Sequence, residues 1–282
     1  MIKIEELEFY YKRKSELFQH LNVDLNEGKV YGILGHNGAG KTTLLKLIAG
    51  LLFPKSGKCS VNGFVPKERN PYFLQEIFYI PEEFEFPSTT IAKYIKTHSG
   101  FYPKFDMNIM DDLLNEFELS VSRKIHNLSF GQKKKLLIAF AVSTNCKILL
   151  MDEPTNGLDI PSKSKFRKVI ASYFNDDRLF IISTHQVRDL DNILDTIIVI
   201  EKGEVIFNQT IEEIQNTLSF QKVKNLSEMD HVLFSEKEFG GFSVLAESKD
   251  FGETKIDIEL LYKAINSNKE TINEAFKNEH NN

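Results

Sequence analysis

The chain has 282 residues, of which 41% are hydrophobic, and a formal net charge of -5. This length and apolar content exclude a wholly disordered chain and fit one large domain with an appendage. Acidic charge is concentrated at the C-terminal end, where residues 201–282 hold 9 Lys or Arg against 16 Asp or Glu. Because no basic block occurs in the sequence, nucleic acid is not an expected partner.

Cysteine usage and the length of the apolar runs indicate the compartment. Cys59 and Cys146 are far apart and belong to no metal-binding or disulfide pattern, which favours a reducing cytoplasm. The apolar runs, such as residues 179–183 and 197–200, are far shorter than the ~20 residues of a membrane-spanning helix. We therefore expect any membrane association to occur through a partner chain.

The first elements in chain order predict a phosphate-binding loop. Residues 2–10 and 21–34 predict strands, and the second run ends at the glycine-rich segment GHNGAGKT, residues 35–42. The run from Lys41 to Leu51 predicts a helix, so strand, glycine loop and helix follow in the required order. We expect backbone N–H groups and the Lys41 charge to bind phosphate, and the Thr42 hydroxyl to bind magnesium. The candidate phosphate-binding residues are Gly35, Asn37, Gly38, Ala39, Gly40, Lys41, Thr42 and Thr43.

The middle of the chain predicts a sheet interrupted by helices. A helix-rich stretch at 91–118 indicates an inserted helical subdomain at about 84–145. Short strands, several of them apolar runs typical of a buried parallel sheet, are expected at residues 58–61, 77–80, 147–151, 179–183 and 196–201. This alternation predicts an α/β fold with a mainly parallel core sheet.

The segment ILLMDEP, residues 148–154, predicts a buried strand that ends in two carboxylates. Asp152 is a candidate magnesium ligand, and Glu153 is a candidate general base for an attacking water. His185 follows the apolar run LFIIS, so we expect it at the same sheet edge, where it and Lys41 would meet charge developing on phosphoryl oxygens. The alternatives are an exposed acidic turn and a histidine with a structural role.

With these residues in place, the chain resembles the ATP-binding subunits of ABC transporters from about residue 2 to about residue 208. The resemblance rests on six segments: the phosphate loop, PEE at 81–83, LSFGQ at 128–132, the acidic strand, NGLD at 156–159 and STH at 183–185. It implies an ABC-type P-loop fold with an N-terminal antiparallel β-subdomain. It also implies ATP and Mg²⁺ as ligands, and a head-to-tail dimer in which each ATP is held by one chain's phosphate loop and the other chain's LSFGQ.

The resemblance implies roles for further residues. The residues of LSFGQ expected at the ATP of the partner chain are Ser129, Gly131 and Gln132. Tyr11, or alternatively Tyr10, would stack on adenine, and Asp159 would cross the dimer interface. Structural roles are the alternatives, with Ser129 and Asp159 as helix N-caps and the tyrosine as a core aromatic at a strand end.

Two residues depart from the family pattern. Glu82 stands where the family usually has glutamine, and its carboxylate still suits magnesium while it adds negative charge near the phosphates. Phe130 stands where the LSFGQ segment usually has its first glycine, and we expect its side chain to limit the backbone where the nucleotide approaches. Both departures predict altered turnover.

The sequence beyond residue 207 predicts a different organisation. Short strands are expected within residues 221–248, and a last helix is expected from Asp257. We therefore expect an ABC ATP-binding domain at 1–215 and a small acidic α+β accessory region at 216–282.

The preferred functional hypothesis is a transport ATPase. Two copies, or two related chains, would close on ATP and pass this movement to separate transmembrane permease subunits docked near Glu82. The chain would then be cytoplasmic and peripheral on the inner face of the cell membrane. The PEE loop and the acidic C-terminal region favour an exporter. The alternatives are a soluble ABC-type ATPase acting on ribosomes or DNA, and a module that closes on nucleotide without hydrolysing it.

Overall fold

The computed structural model describes residues 1–12, 15–190, 192–229, 231–248 and 254–279. The strands in chain order are β1 (Ile2–Lys12), β2 (Ser15–Leu25), β3 (Lys29–Leu34), β4 (Ser56–Val61), β5 (Ile77–Ile80), β6 (Ile148–Asp152), β7 (Leu179–Thr184), β8 (Thr196–Glu201), β9 (Glu204–Thr210), β10 (Leu218–Val223), β11 (Val232–Glu238) and β12 (Gly241–Glu247). The α-helices are α1 (Lys41–Ile48), α2 (Pro71–Glu76), α3 (Ile91–His98), α4 (Met107–Glu116), α5 (Phe130–Ser143), α6 (Ile160–Tyr173), α7 (Ile211–Thr217), α8 (Ile258–Ser267) and α9 (Lys269–Glu279). Short 3₁₀ helices lie at Pro66–Glu68, Ser99–Phe101, Ile125–Asn127, Val187–Leu190 and Leu226–Glu228. No helix in these described ranges is both long and apolar enough to cross a lipid bilayer.

A central sheet with strand order β5-β6-β7-β3-β8-β9 positions the site. Its strands are parallel except for the β8–β9 pair, which is antiparallel. β6 and β7 are buried along their whole length, as expected for strands between two covering layers. Leu34 pairs with Thr184 and Asp152 pairs with Ser183, so β3, β6 and β7 end at one edge. The loops that follow these strands therefore meet there.

An antiparallel sheet of order β2-β1-β4 covers one face of the central sheet, together with α1. Phe18 of β2, Leu44 of α1 and Ile33 of β3 share one hydrophobic core between these layers. The sequence assigned residues 21–34 to strand, and residues 26–28 of this range depart from that prediction. The structure separates β2 from β3 by a turn at Gly28, whose φ of 68° lies in the left-handed region.

The helices α3, α4 and α5 pack against the opposite face of the central sheet and form the expected helical subdomain. Phe140 of α5 is buried at its centre and contacts the rings of Phe78, Tyr94, Tyr102 and Phe105. These aromatic contacts fix α5 against β5 and the loops around it. The fold class predicted from the sequence is confirmed.

The C-terminal region adds a sheet of order β10-β12-β11 and the helices α7, α8 and α9. Leu261 of α8 and Phe276 of α9 belong to the same hydrophobic core as the central sheet. Tyr262 of α8 contacts the ring of His36, with the ring centroids 5.6 Å apart. The sequence analysis missed α9 because its segment is mostly polar and offers only three apolar residues. The domain boundary near residue 215 stays a prediction, and residues 230, 249–253 and 280–282 of this region lie outside the described residues.

Candidate active site

The phosphate loop joins β3 to α1 and depends on two glycines in the left-handed region. Gly38 has a φ of 82°, and no heavy atom lies within 4 Å of where a Cβ would stand. Gly40 has a φ of 115°, and a Cβ there would lie 2.8 Å from the ring of Phe18. The loop backbone is therefore open at Gly38 and tightly packed at Gly40. This arrangement leaves the concave face available for an anion at the start of α1.

Lys41 is buried at the start of α1 and held by the phosphate loop itself. Its Nζ donates to the carbonyl oxygen of Gly35 at 2.6 Å and to that of His36 at 3.2 Å. Burial lowers the pKa of Lys41, while the carboxylates of Glu153 and other residues oppose this shift. Phosphate oxygens are stronger acceptors for an ammonium than backbone carbonyls. A bound nucleotide would therefore replace the loop carbonyls as the partner of Lys41.

Tyr11 lies beside the phosphate loop at the end of β1. Its hydroxyl is 2.9 Å from the Thr43 hydroxyl, and its ring makes an edge contact with Phe9. The Tyr11 residue is 59% exposed, so its ring is not the core aromatic of the alternative interpretation. The exposed ring next to α1 is available for stacking on a planar base.

Asp152 ends β6 and is held by hydrogen bonds on both carboxylate oxygens. Ser183 Oγ donates to Oδ1 at 2.5 Å, and the Tyr79 hydroxyl donates to Oδ2 at 3.2 Å. Burial, with the nearby Asp152 charge as the next cause, raises the pKa of Tyr79. Tyr79 therefore stays protonated and acts as a donor. Both partners orient the Asp152 carboxylate at the sheet edge.

Glu153 is the most constrained side chain of this edge. Its carboxylate accepts from Thr184 Oγ1 at 3.0 Å, from the His185 backbone N–H at 2.9 Å and from His185 Nδ1 at 2.7 Å. The backbone φ of Glu153 is 45°, in the sparsely populated left-handed region. Because a carboxylate only accepts, the contact places a proton on His185 Nδ1. The structure therefore brings Glu153 and His185 together as predicted.

Glu82 joins the PEE loop to the NGLD loop. Its Oε1 accepts from Asn156 Nδ2 at 2.9 Å, and the residue is half-buried. A glutamine oxygen could accept the same hydrogen bond, so this contact does not by itself require a carboxylate. The negative charge is what distinguishes Glu82 from the usual glutamine.

Ser129 caps α5 in a capping box. Ser129 Oγ accepts from the Gln132 backbone N–H at 3.2 Å, and Gln132 Oε1 accepts from the Ser129 backbone N–H at 3.1 Å. The N-cap alternative for Ser129 is therefore present in the structure. The residue is exposed, and accepting a hydrogen bond leaves its hydroxyl proton available for another acceptor. Both roles are compatible.

Phe130 is the first residue of α5 and adopts ordinary helical backbone, and its expected effect on the backbone near the nucleotide stays a prediction. Its ring stacks on Phe84 with centroids 5.5 Å apart. A Cβ at Gly157, whose φ is 78°, would lie 2.7 Å from the Phe130 ring. The absence of a side chain at Gly157 therefore allows Phe130 to pack against the NGLD loop instead of pointing only to solvent.

Asp159 caps α6, since its Oδ1 accepts from the Ser162 backbone N–H at 3.0 Å. Asp159 is exposed, and the next residue, Ile160, is 85% exposed. The N-cap interpretation is therefore present here too. Asp159 at the end of the NGLD loop and Ile160 at the start of α6 nevertheless present a polar and an apolar side chain at the surface, where a second chain could contact them.

The sequence analysis missed several residues that hold this site together. Ser183, Thr184 and Tyr79 bond the two acidic residues, and the buried Lys134 contacts the carbonyls of two loops. Lys134 could have been found from the helix period, because it lies three to four residues before Leu137 and Ile138 on one face of α5. Tyr79 carries no such signal, because its partner is fixed by sheet register.

Comparisons with known proteins agree with this geometry. Residues 18–156 match the family model described as ABC transporter. Over 241 residues the chain is 32% identical to the molybdate import ATP-binding protein MolC of Haemophilus influenzae, covering 84% of this chain and 90% of that protein. Over 266 residues it is 27% identical to an uncharacterized ABC transporter ATP-binding protein of Methanocaldococcus jannaschii, covering 93% and 95% of the two chains.

The fold is also similar to that of a solved dimeric ATP-binding cassette in a post-hydrolysis state with ADP and Pi. The TM-score is 0.66 and the identity 23%, over 75% of this chain and 99% of that chain. This structural likeness concerns the fold, whereas the family follows from the sequence matches. The chain therefore belongs to the family of ABC transporter ATP-binding proteins and is an ATPase of that family.

Proposed function

We propose that this chain is the ATP-hydrolysing subunit of a membrane transporter, and that two such chains hold ATP between them head to tail. The observation that carries the proposal is that the two groups of candidate site residues in one chain differ in burial. Lys41, Asp152 and Glu153 lie buried at the edge of the central sheet, whereas Ser129 is exposed and bonded only to its own helix. A second chain that presents its Ser129 to this edge would complete the site.

In the proposed reaction, Glu153 is the general base. It accepts a proton from the attacking water while the water oxygen bonds to the γ-phosphorus and the bond to the ADP oxygen breaks. Thr184 and His185 hold the carboxylate for this step. His185, whose Nδ1–H points at Glu153, would present the other edge of its ring to the phosphoryl oxygens. Lys41 stabilises the same developing charge.

Thr42, Asp152 and Glu82 would hold Mg²⁺ together with the ATP phosphates. Among the described residues, no group of three or more His, Cys, Asp or Glu side chains forms a metal site by itself. This donor set fits Mg²⁺, which proteins often bind through one or two carboxylates and substrate phosphates. When bound, the ion neutralises charge on the transferred phosphoryl group.

Tyr11 would stack on the adenine ring, and the phosphate loop would donate its backbone N–H groups to the phosphates. On the partner side, Ser129 and Gly131 at the start of α5 would donate to the γ-phosphate. Gln132 fixes Ser129 through the capping box, and Asp159 would lie across the interface. The partner in this scheme is a second copy or a related chain that presents the same segment.

An apolar groove beside α2 is the proposed docking surface for a transmembrane permease subunit. Its cavity of about 480 Å³ is lined by Leu51, Phe101 and Tyr79, among others, and Leu51 and Phe101 are 48% and 66% exposed. The Tyr79 hydroxyl also donates to Asp152. A subunit seated in this groove would therefore contact a direct neighbour of the proposed metal ligand. In this proposal the docked chain would lie on the cytoplasmic face of the membrane.

Export is the direction that we propose, because the PEE loop and the acidic C-terminal region resemble exporter-type cassettes. The Haemophilus relative is named for import, so a direction-sensitive assay is required. With the chain and its permease in inside-out vesicles, export predicts that external ATP drives substrate accumulation. ATP-driven loss of preloaded substrate would instead assign import.

Co-purification tests the transport proposal. The tagged chain is expected to recover a permease from detergent-solubilised membranes, and Phe101→Glu should abolish this recovery without changing basal ATP hydrolysis. Phe239→Glu is the matched control, because Phe239 is exposed but lies in the turn between β11 and β12, outside the groove. Recovery with ribosomes or DNA from a detergent-free lysate, in place of a permease, would show that the chain is a soluble ABC-type ATPase.

A further inference from the structure

Lys134 is a fully buried lysine that the proposed reaction does not use. It lies on α5, two residues after Gln132, and its relative exposure is 0%. Its Nζ donates to the carbonyl oxygens of Glu82 at 3.0 Å, Pro81 at 3.4 Å and Glu153 at 3.4 Å. Two of these carbonyls belong to the PEE loop, and the third belongs to the turn after β6. An ammonium has three protons, so the three carbonyls match its donors.

Two aromatic rings complete the surroundings of this ammonium. The Nζ lies 5.1 Å from the centroid of Phe84 and 5.6 Å from that of Phe130. The two rings stack on each other, and Phe130 also packs against Gly157 of the NGLD loop. A cation near the face of an aromatic ring is stabilised by the ring quadrupole, more strongly when it is desolvated.

A buried charge is costly unless its hydrogen bonds and electrostatic partners replace water. Burial lowers the pKa of Lys134 to about 8, while the charges of Glu82, Asp152 and Glu153 oppose this shift. A methionine or leucine would fill the same space without this cost. The contacts of Lys134 therefore indicate a role beyond filling the core.

We propose that Lys134 is a positioning residue that connects the half-site formed with the partner to the carboxylates that act within this chain. Helix α5, which Ser129 caps, is connected by Lys134 to the backbone of Glu82 and Glu153. A displacement of α5 when Ser129 meets the partner's ATP is therefore transmitted directly to both acidic residues. Phe130 extends the same connection to the NGLD loop through Gly157.

This inference rests on the proposed dimer for the contact at Ser129, but not for the contacts of Lys134 itself. A purely structural lysine is the competing explanation. The two differ in their effect on catalysis. A positioning residue changes kcat while leaving nucleotide affinity intact, whereas a structural residue changes folding and affinity together.

The test compares Lys134→Met with Lys133→Met, its half-exposed neighbour on α5. Lys134→Met is expected to lower kcat about 10- to 100-fold, since small displacements of catalytic groups lower reaction rates by factors of this order. ATP affinity of the monomer and KM should change less than about twofold. Lys134→Arg, which keeps the charge and the donors, should restore part of kcat, and Lys133→Met should behave like the parent chain.

If Lys134→Met does not fold, Phe84→Leu tests the same connection at a half-buried position. It is expected to lower kcat with ATP affinity unchanged, but less than Lys134→Met does. The inference is overturned if Lys134→Met turns over like Lys133→Met, or if kcat, ATP affinity and thermal stability of Phe84→Leu fall together. The dimer is checked separately with Glu153→Gln alone. Failure of that variant to dimerise on ATP would refute the dimer, not the contacts of Lys134.

Discussion

The two halves of the proposed ATP site differ in how they are held. On the phosphate-loop side, Lys41, Asp152 and Glu153 are buried, and each has hydrogen-bond partners within its own chain. On the LSFGQ side, Ser129 and Asp159 are exposed and act as helix caps. The first half is preorganised by folding. The second half is stable alone but acquires its proposed catalytic role only by association.

Glu153→Gln tests the buried half and should have the largest effect. The substitution keeps the size of the side chain but removes the proton acceptor, so kcat should fall about 10²- to 10⁴-fold. Glutamine offers its one side-chain oxygen to His185, and its amide N–H can donate to Thr184 Oγ1, so ATP binding should persist and trap the dimer. Phosphate release and size-exclusion chromatography with ATP measure the two effects. Turnover equal to that of the parent would exclude Glu153 as the base.

Ser129→Arg tests the exposed half. A long charged side chain at this position should prevent closure on the partner, lowering turnover about tenfold or more while the monomer still binds ATP. Isothermal titration of the monomer with ATP measures binding, and ATP-dependent dimerisation measures closure. Ser122→Arg, at an exposed serine before α5, is the control. Loss of ATP binding to the monomer would contradict the assignment of Ser129 to the partner's site.

Glu82→Gln should have the smallest effect and tests the loop that connects the halves. Glutamine can keep the hydrogen bond from Asn156 but removes a negative charge from the proposed Mg²⁺ site. We expect the Mg²⁺ concentration for half-maximal turnover to rise a few-fold, roughly 1 kcal/mol of binding free energy. Glu83→Gln, at the exposed neighbour, should leave it unchanged. An identical Mg²⁺ dependence in both variants would remove Glu82 from the metal site.

The sequence predicted the buried half better than the connections around it. The phosphate loop and the acidic strand are contiguous motifs, so spacing alone gave Lys41, Asp152 and Glu153. The contacts of Lys134 with Glu82 and Glu153 join segments 52 and 19 residues apart in sequence. Such contacts depend on how α5 packs on two loops, which local patterns do not specify. For the same reason, the packing of Phe130 on Gly157 could not be predicted from its replacement of a glycine.

The contact between His36 and Tyr262 has a practical consequence for following the reaction in solution. Tyr262 lines a cavity of about 930 Å³ together with Gly35, Asn37 and His185. The chain contains no tryptophan. A Tyr262→Trp chain would therefore carry one indole fluorophore beside the phosphate loop, with no background from other indoles. Its emission would report, in real time, the arrival of nucleotide at the loop and any movement of α8 that accompanies it.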